Sequence, residues 1–518
     1  MSKKVSRRDF ARTSVASAAA VTLPGALLAA TPVTKPRSSA AEGVAAARRR
    51  LAAMPPHVGY GGMTLEGRDM PLDAALARGE QAPVNYPGGW REGTTIPAEF
   101  YIDERHYLND ERFIADHFWL MTDHESRIPK PGDYFVFEYG RGDSVIVVRN
   151  KAGEVRAHHN VCRHRGSRLC QHASDNVRAT EARPDGRPMD ARLSVLQLGP
   201  GGNTPVFRCP YHAWTYDLDG KLISFPPELP SGFAPNALGL HPCHVRTVDG
   251  FIFVNLSHDE PPDFSTWAAT WQAVTRQYDT GALKVAARKL YPTRANWKLV
   301  VENFRECYHC QPSHTRSYFA VHNLQFLYML NPDQRARIEE DLARHGHAVR
   351  PAGTSPQQAE GSLGMGAGST GQHLPRGFMT GSLDGKPVAP LLPAKKEYTH
   401  YSTYAATGFS TSYLQAYDDH VACARFTPRG VMSTDVELFW LVHPNAKEKD
   451  VDVDRMMALW DLTYREDRWI VENNHVGILS GRYAGGQPYT TREGGPASFI
   501  KWYMADVAPR AASQRTNV

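Results

Sequence analysis

Residues 160–170 read NVCRHRGSRLC, and residues 209–222 read CPYHAWTYDLDGKL. Each stretch offers one thiol and one imidazole from a short loop: Cys162 with His164, and Cys209 with His212. Two kinds of centre use such a set. Two cysteines and two histidines can hold zinc tetrahedrally, or a [2Fe–2S] cluster with both sulfurs on one iron and both imidazoles on the other. The pairing decides between them. Zinc fingers pair Cys with Cys and His with His, whereas each loop here is mixed, and two mixed loops can clamp a diamond-shaped cluster from opposite sides. Cys170 is close by and reads as a small buried thiol.

The sequence around the two loops is β-like. DSVIVVRNKAGEVRAHHNVC (143–162) has two β-rich runs about a turn at Lys151-Ala-Gly. YDLDGKLISF (216–225) and HVRTVDGFIFVNL (244–256) each carry Asp-Gly between apolar flanks, a strong hairpin signal. Residues near 130–260 therefore predict a small antiparallel β domain. Between its cysteine loops, 171–204 is polar, Gly-rich and Arg-rich, and reads as an inserted loop.

A second constellation lies further on, in NWKLVVENFRECYHCQPSH (296–314). On a wheel, Trp297, Val300, Val301, Phe304 and Tyr308 form one apolar face, which predicts a helix from Asn296 to Gln311. Glu302, Glu306 and His309 share a second face. His314 would point away from His309 on a straight helix, but Pro312 cannot continue one, so the chain can turn there and bring the two imidazoles together. Two imidazoles and one carboxylate make a facial triad that suits Fe(II) and leaves positions open for dioxygen. A later helix, from about Val453 to Asn474, places Asp467 in an apolar stripe with Trp460, Tyr464, Val471 and Asn474. An unpaired carboxylate there would be costly, so Asp467 is the candidate third ligand, ahead of Asp461, Glu466 and Glu472. Cys307 and Cys310 could form a redox Cys-x-x-Cys; flanking a ligand His on a helix, they read instead as small buried thiols.

The cysteine–histidine loops resemble the Rieske family. Together with E-N-x-x-E-x-Y-H-x₄-H, they resemble the α subunits of Rieske non-haem iron oxygenases. The resemblance covers roughly residues 95–510 and extends to FTPRG (426–430), WLVHPNA (440–446) and the pattern from Glu472-Asn-Asn to Phe499-Ile-Lys-Trp-Tyr. It implies an α+β protein: an antiparallel β Rieske [2Fe–2S] domain joined to a helix-grip catalytic domain, an antiparallel sheet with a long C-terminal helix. It implies that Glu306, where relatives often have Asp, bridges the two metal centres, and that Asp467 and Asn474 match the family's final iron carboxylate and its companion amide. Glu302 and Asn303 would orient ligands. Dioxygen is the implied co-substrate, and electrons come from a reductase or ferredoxin that draws on NAD(P)H. A homo-oligomer, commonly a trimer, follows from the same resemblance. Residues 376–392 (RGFMTGSLDGKPVAPLL) and the Cys-Tyr-His-Cys run look like the glycine betaine and choline monooxygenase branch, which hydroxylates a methyl group next to nitrogen. Tyr398, Tyr401, Tyr404, Phe409, Tyr413 and Tyr417 are available to face such a cation. Aromatic-ring dioxygenation is the alternative. Readings from other classes are an exported Rieske electron carrier without a second iron and a zinc-stabilised binding module.

The 518 residues suffice for two or three domains. We divide them into a signal peptide at 1–40, an arm at 41–95, the Rieske domain at 96–260 and the iron domain at 261–518, with a Gly/Ser/Pro-rich flexible loop near 345–395. Ten of the first 50 residues are Lys or Arg, giving that segment a net +8 out of +5 for the whole chain. The slightly acidic remainder carries no footprint for nucleic acid. Arg7 and Arg8, followed by an Ala-rich run broken by Pro24, resemble a twin-arginine export signal, and predict a periplasmic protein or a cytoplasmic one with an uncleaved signal. Seven cysteines are too few and too scattered for a disulfide scaffold.

Overall fold

Asp249 and Gly250 both adopt positive φ (45° and 85°), the geometry of a tight primed hairpin turn. The turn joins β9 (His244–Val248) to β10 (Phe251–Asn255) in full antiparallel register. Gly220 is likewise left-handed where β7 (Thr215–Tyr216) turns into β8 (Leu222–Ser224). These observations come from a computed structural model, which describes residues 90–140, 142–171, 198, 200–225, 233–323, 336, 340, 368–406 and 411–509. The signal at 1–40, nearly all of the arm, most of the insertion and Phe409 lie outside the described residues.

The named strands of the first domain all pair antiparallel. Strands β2 (Asp133–Tyr139), β3 (Asp143–Arg149), β4 (Val155–His159) and β5 (Gly201–Asn203) form one sheet in the order β4-β3-β2-β5. β6 (Phe207–Arg208), β7 and β8 form a second, and β1 (Leu120–His124) joins β10 and β9 in a third. β3 is buried on both faces: Val145 and Val147 enter the main core, while Ile146 and Val148 enter a smaller one with Phe207, Trp214, Tyr216 and both loop cysteines. The cysteine loops thus stand on a rigid β scaffold. The inserted loop begins and ends at one point, since Gln171 N donates to Leu198 O at 2.7 Å. Residues 201–203, read as part of that loop, are instead a strand paired with β2.

The second domain is built on one six-stranded antiparallel sheet, ordered β11-β16-β15-β14-β13-β12. Its strands are β11 (Lys284–Thr293), β12 (Gly368–His373), β13 (Tyr401–Ala406), β14 (Ser412–Ala416), β15 (His420–Gly430) and β16 (Ser433–Val442). The segment 368–395 is therefore not a loose loop. β12 pairs with β13, and the chain beyond it is tied to two fully buried aspartates: Val388 N donates to Asp419 Oδ2 at 3.0 Å, and Thr399 N to Asp418 Oδ2 at 2.6 Å. Composition suggests mobility there; distant carboxylates remove it.

Helices set the site. Before the first strand stand α1 (Glu99–Ile102) and α2 (Glu104–His117), and after β10 comes α3 (Phe264–Thr275). α4 (Trp297–Phe304) starts where the Asn296 side chain accepts from Lys298 N at 3.0 Å. It stops at Arg305, short of the predicted Gln311. Its end is fixed by α8 (Gly494–Trp502): Gly495 packs on the Arg305 carbonyl with no space for a Cβ, and Arg305 Nε donates to Gly495 O at 3.2 Å. Tyr308 consequently leaves the apolar face and is exposed. Pro312 does not make the turn. It sits in a new short helix, α5 (Cys310–Ser313), in a first turn where its missing N–H costs nothing. After α6 (Tyr318–His322) and the sheet comes α7 (Val453–Ile478), 26 residues capped by Asp452. Its buried stripe is Trp460, Tyr464, Asp467, Val471 and His475; Asn474, expected on it, is exposed.

Glu302 ties these parts together, accepting from Tyr101 Oη and Tyr489 Oη at 2.8 Å each. It joins both ends of the described chain to α4 and does not reach a site histidine, contrary to the orienting role expected for it. Burial raises its carboxyl to about 7, against the lowering effect of the two tyrosines and Lys298. An acid raised on folding binds more protons in the native state. Its native state therefore loses stability as pH climbs from 4.5 to 7 and loses no more above that. We expect Glu302→Gln to remove roughly 3 kcal/mol of that slope. Unfolding followed between pH 4.5 and 8 should show the variant gaining on the parent up to pH 7, then running parallel.

Candidate metal centres

In the β domain, Cys162 and Cys209 are buried at the base of their loops, whereas His164 is exposed and His212 half-buried above them. The Nδ1 atoms of the two imidazoles lie 3.1 Å apart, so both nitrogens aim at one place. His164 stacks on Trp214 at 4.8 Å and 8°. Tyr216 Oη lies 3.3 Å from Cys162 Sγ and accepts from Arg163 N at 3.1 Å, which puts a hydrogen-bonding group on a sulfur. Buried sulfur below and solvent-facing imidazole above is a set that could hold a cluster with its electron exit at the surface. Cys170 is fully buried and its thiol is pushed up by burial.

In the second domain, three donors meet. His314 Nε2 lies 2.9 Å from Asp467 Oδ1, and His309 Nε2 lies 3.2 Å from the same oxygen. Asp467 comes from α7, more than 150 residues from the histidines in sequence. The other nitrogen of each ring is occupied: His309 Nδ1 donates to Glu306 Oε1 at 2.5 Å, and His314 Nδ1 to Glu466 Oε2 at 2.7 Å. Both tautomers are thereby fixed with Nε2 facing Asp467, as metal-binding imidazoles require. Asn303 stands beside them with Nδ2 3.3 Å from His309 Nε2, and its Oδ1 is buried without a hydrogen-bond partner. Burial opposes a charge on His309, but its hydrogen bonds to Asp467 and Glu306 outweigh it and push the imidazole up to about 10. His314 is also raised, by Asp467 and Glu466 against burial, and Asp467 is held down by the two imidazoles against burial. The donor set of two nitrogens and one carboxylate, with carboxylates behind the rings, fits a divalent ion with open positions.

Glu466 falls off the apolar stripe and ranks behind Asp467 in the sequence. It nevertheless orients His314, and Ser317 Oγ donates to the same oxygen. Its signal is its place one residue from Asp467, visible only once α7 is laid against the turn between α5 and α6. Cys307 and Cys310 also depart from expectation: they are joined in a disulfide. The chain leaves the helix at Arg305, and the tighter path through 306–309 brings the two sulfurs together. An open groove of about 850 Å³ lined by Pro387–Pro390 and Glu448–Asp454 includes none of these donors.

Residues 118–235 match the Rieske [2Fe-2S] domain, and residues 280–508 match the catalytic domain of the ring hydroxylating alpha subunit. The chain is 33% identical over 444 residues to the glycine betaine monooxygenase oxygenase subunit of Chromohalobacter salexigens, covering 85% of this chain and 92% of that one. It is 30% identical over 290 residues to the carnitine monooxygenase oxygenase subunit of Escherichia coli K12, covering 52% and 69%. Among solved structures, a quaternary ammonium Rieske monooxygenase in complex with L-carnitine superposes with a TM-score of 0.55 at 20% identity, over 80% of this chain and 96% of that one, a likeness of fold. A two-domain chain with these two donor sets and these relatives is an oxygenase of the Rieske type. The chain belongs to the Rieske non-haem iron oxygenase family. It carries a [2Fe–2S] cluster and a mononuclear iron and uses dioxygen as co-substrate. A bare electron carrier or a zinc module leaves the match over 280–508 without a role.

Glu466→Ala should leave the visible spectrum of the cluster intact and weaken retention of the mononuclear iron by about 10–100-fold. Iron content after graded chelator treatment measures it.

Proposed function

We propose that Cys162, His164, Cys209 and His212 hold the cluster, that His309, His314 and Asp467 hold the mononuclear iron, and that the chain removes a methyl group from a small methylated amine. The observation that carries the assignment is the convergence of three donor atoms on one point, with each imidazole backed by its own acid. The cluster supplies single electrons, and the iron supplies a place where dioxygen can be bound and reduced. The protein does the positioning. Glu306 accepts the hydrogen bond of His309 Nδ1, on the side of the ring away from Asp467. The family resemblance gives that position to the bridge between centres in a homo-oligomer, commonly a trimer.

The substrate reading rests on the wall beside Asp467. Tyr413 packs against Phe304 at 4.9 Å and against Tyr404 and Trp460 at 5.7 Å each, and Phe304 against Tyr464 at 5.8 Å. Trp460, Tyr464 and Asp467 share one stripe of α7, so the rings flank the carboxylate. The Tyr413 hydroxyl is buried without a hydrogen-bond partner, and burial and the Asp467 charge both hold its proton on. Aromatic faces suit a quaternary ammonium group, and the named relatives act on glycine betaine and carnitine. Of the other candidate aromatics, Tyr417 bonds His322 instead, and Tyr401 packs on His373 at the sheet edge. Hydroxylation of an N-methyl group takes two electrons, two protons and one dioxygen. One oxygen atom leaves as water. The N–CH₂OH product then breaks its C–N bond to give formaldehyde, the demethylated amine and a proton.

The electron donor is a reductase or ferredoxin, fed by NAD(P)H if it is cytoplasmic. Arg7–Arg8 and the Ala-rich run support twin-arginine export, a route that carries folded, metal-loaded proteins. No helix among the described residues is long and apolar enough to cross a membrane.

With the cluster reduced chemically, glycine betaine, carnitine and choline are to be supplied with oxygen. At least one should yield formaldehyde equal to the oxygen consumed, and His309→Ala should keep the cluster spectrum and lose the formaldehyde. Hydroxylation of naphthalene or biphenyl with no formaldehyde from any methylated amine contradicts the substrate reading.

A further inference from the structure

The Cys307–Cys310 disulfide closes a loop around Tyr308 and His309, inside the candidate iron site itself. The other five cysteines are buried and outside any disulfide. Cys310 Sγ stands 3.9 Å from His309 Nε2, the nitrogen that faces Asp467. The donor atoms of His309, Cys310 and His314 all lie within 4.8 Å of one another, a spacing at which one ion could touch all three. Cys310 is buried, whereas Cys307 is half-buried and next to the exposed Tyr308, so the couple is reachable from one side only.

We infer that Cys310 is a redox-masked metal donor: its disulfide with Cys307 keeps the sulfur off the ion held by His309, His314 and Asp467, and opening the disulfide adds that sulfur to the ligand set. The inference rests on the assignment of those three residues as metal ligands. A disulfide sulfur has no thiolate to give. A freed cysteine does, and thiolate is a soft ligand that favours zinc, copper(I) and iron–sulfur chemistry over an open Fe(II) site. The closed pair thus preserves two imidazoles, one carboxylate and open positions. The open pair fills one position with sulfur and turns the site towards zinc.

The opening step is thiol–disulfide exchange with a dithiol. One of its thiolates attacks the more accessible Cys307 sulfur and forms a mixed disulfide, and Cys310 leaves as thiolate. The second thiol of the reductant then closes on the first and releases Cys307. Two electrons pass from the dithiol to the pair, the dithiol becomes a disulfide, and Cys310 either takes a proton or binds the ion. An exported chain would meet a compartment where the pair stays closed; in a reducing one the same chain would lose one of its open iron positions to sulfur.

The test uses the full-length protein with its cluster intact and zinc in the mononuclear site, so that X-ray absorption at the zinc edge sees that site alone. Without reductant, the Cys307 and Cys310 thiols should resist alkylation, read by mass spectrometry, and zinc should show only nitrogen and oxygen neighbours. After dithiothreitol, one sulfur neighbour should enter at about 2.3 Å. Cys307→Ser should show that sulfur without any reductant, and Cys310→Ser should never show it. Nitrogen and oxygen neighbours alone in reduced protein and in Cys307→Ser would overturn the inference while leaving the metal site standing. Full alkylation of both thiols in protein purified without reductant would also overturn it. Zinc held without two imidazole neighbours would remove the ligand assignment beneath it as well.

Discussion

A buried carboxylate meeting two imidazole nitrogens is the interaction on which the rest depends. Asp467 is almost wholly buried, and so is His314. Behind the rings stand Glu306 and Glu466, so three acids crowd two imidazoles in a half-enclosed space. With neutral rings that cluster is strongly repulsive, and burying such charge unpaired is costly. Protons on the histidines relieve it, and the raised His309 and His314 reflect that pull. A divalent cation at the meeting point of the Nε2 atoms and Asp467 relieves it better, because it also answers the carboxylates' demand for charge without filling the ring nitrogens that Glu306 and Glu466 already hold.

The architecture reads as support for that point. Asn296 caps α4 and also holds Tyr101 O and Val431 O at 2.9 Å each, fixing where the helix begins. Gly495 and Arg305 fix where it ends. Buried Asp110 pairs with Lys298 and accepts from Tyr503 Oη at 2.9 Å, locking the helix from behind. The sheet carries α7 across its face and presents Asp467 at the height of the two histidines. The cluster domain stands on its own β scaffold with its imidazoles towards the surface, His164 exposed and His212 half-buried.

Much of this was legible in the residues because it rests on local rules. Asp-Gly at 249–250 forces a hairpin whatever surrounds it, and a mixed Cys/His loop repeated once admits few centres. The stripe of Trp460, Tyr464 and Asp467, with the cost of an unpaired carboxylate on it, marks Asp467 as the candidate third donor from the helical period. What failed needed tertiary information. The apolar period of α4 runs on to Tyr308, yet a glycine almost 200 residues away ends the helix at Arg305. Glu466 lies off the stripe, and only the approach of the turn after α5 gives it His314. Glu302 looks like a ligand-orienting acid in E-N-x-x-E, but two tyrosines from opposite ends of the chain take both its oxygens. The Gly- and Pro-rich run after 368 reads as mobile because Asp418 and Asp419, which pin it, are distant in sequence. The Cys-x-x-Cys pair closes because the helix meant to hold the sulfurs apart has already ended.

The account stands or falls on whether one iron sits where three side chains point. The direct measurement is anomalous diffraction at the iron edge from crystals of the purified protein. The account predicts two peaks close together between the loops of Cys162–His164 and Cys209–His212, and a third, separate peak within bonding distance of His309 Nε2, His314 Nε2 and the Asp467 carboxylate. Iron at the cluster alone, or a third peak that touches none of those atoms, would contradict it.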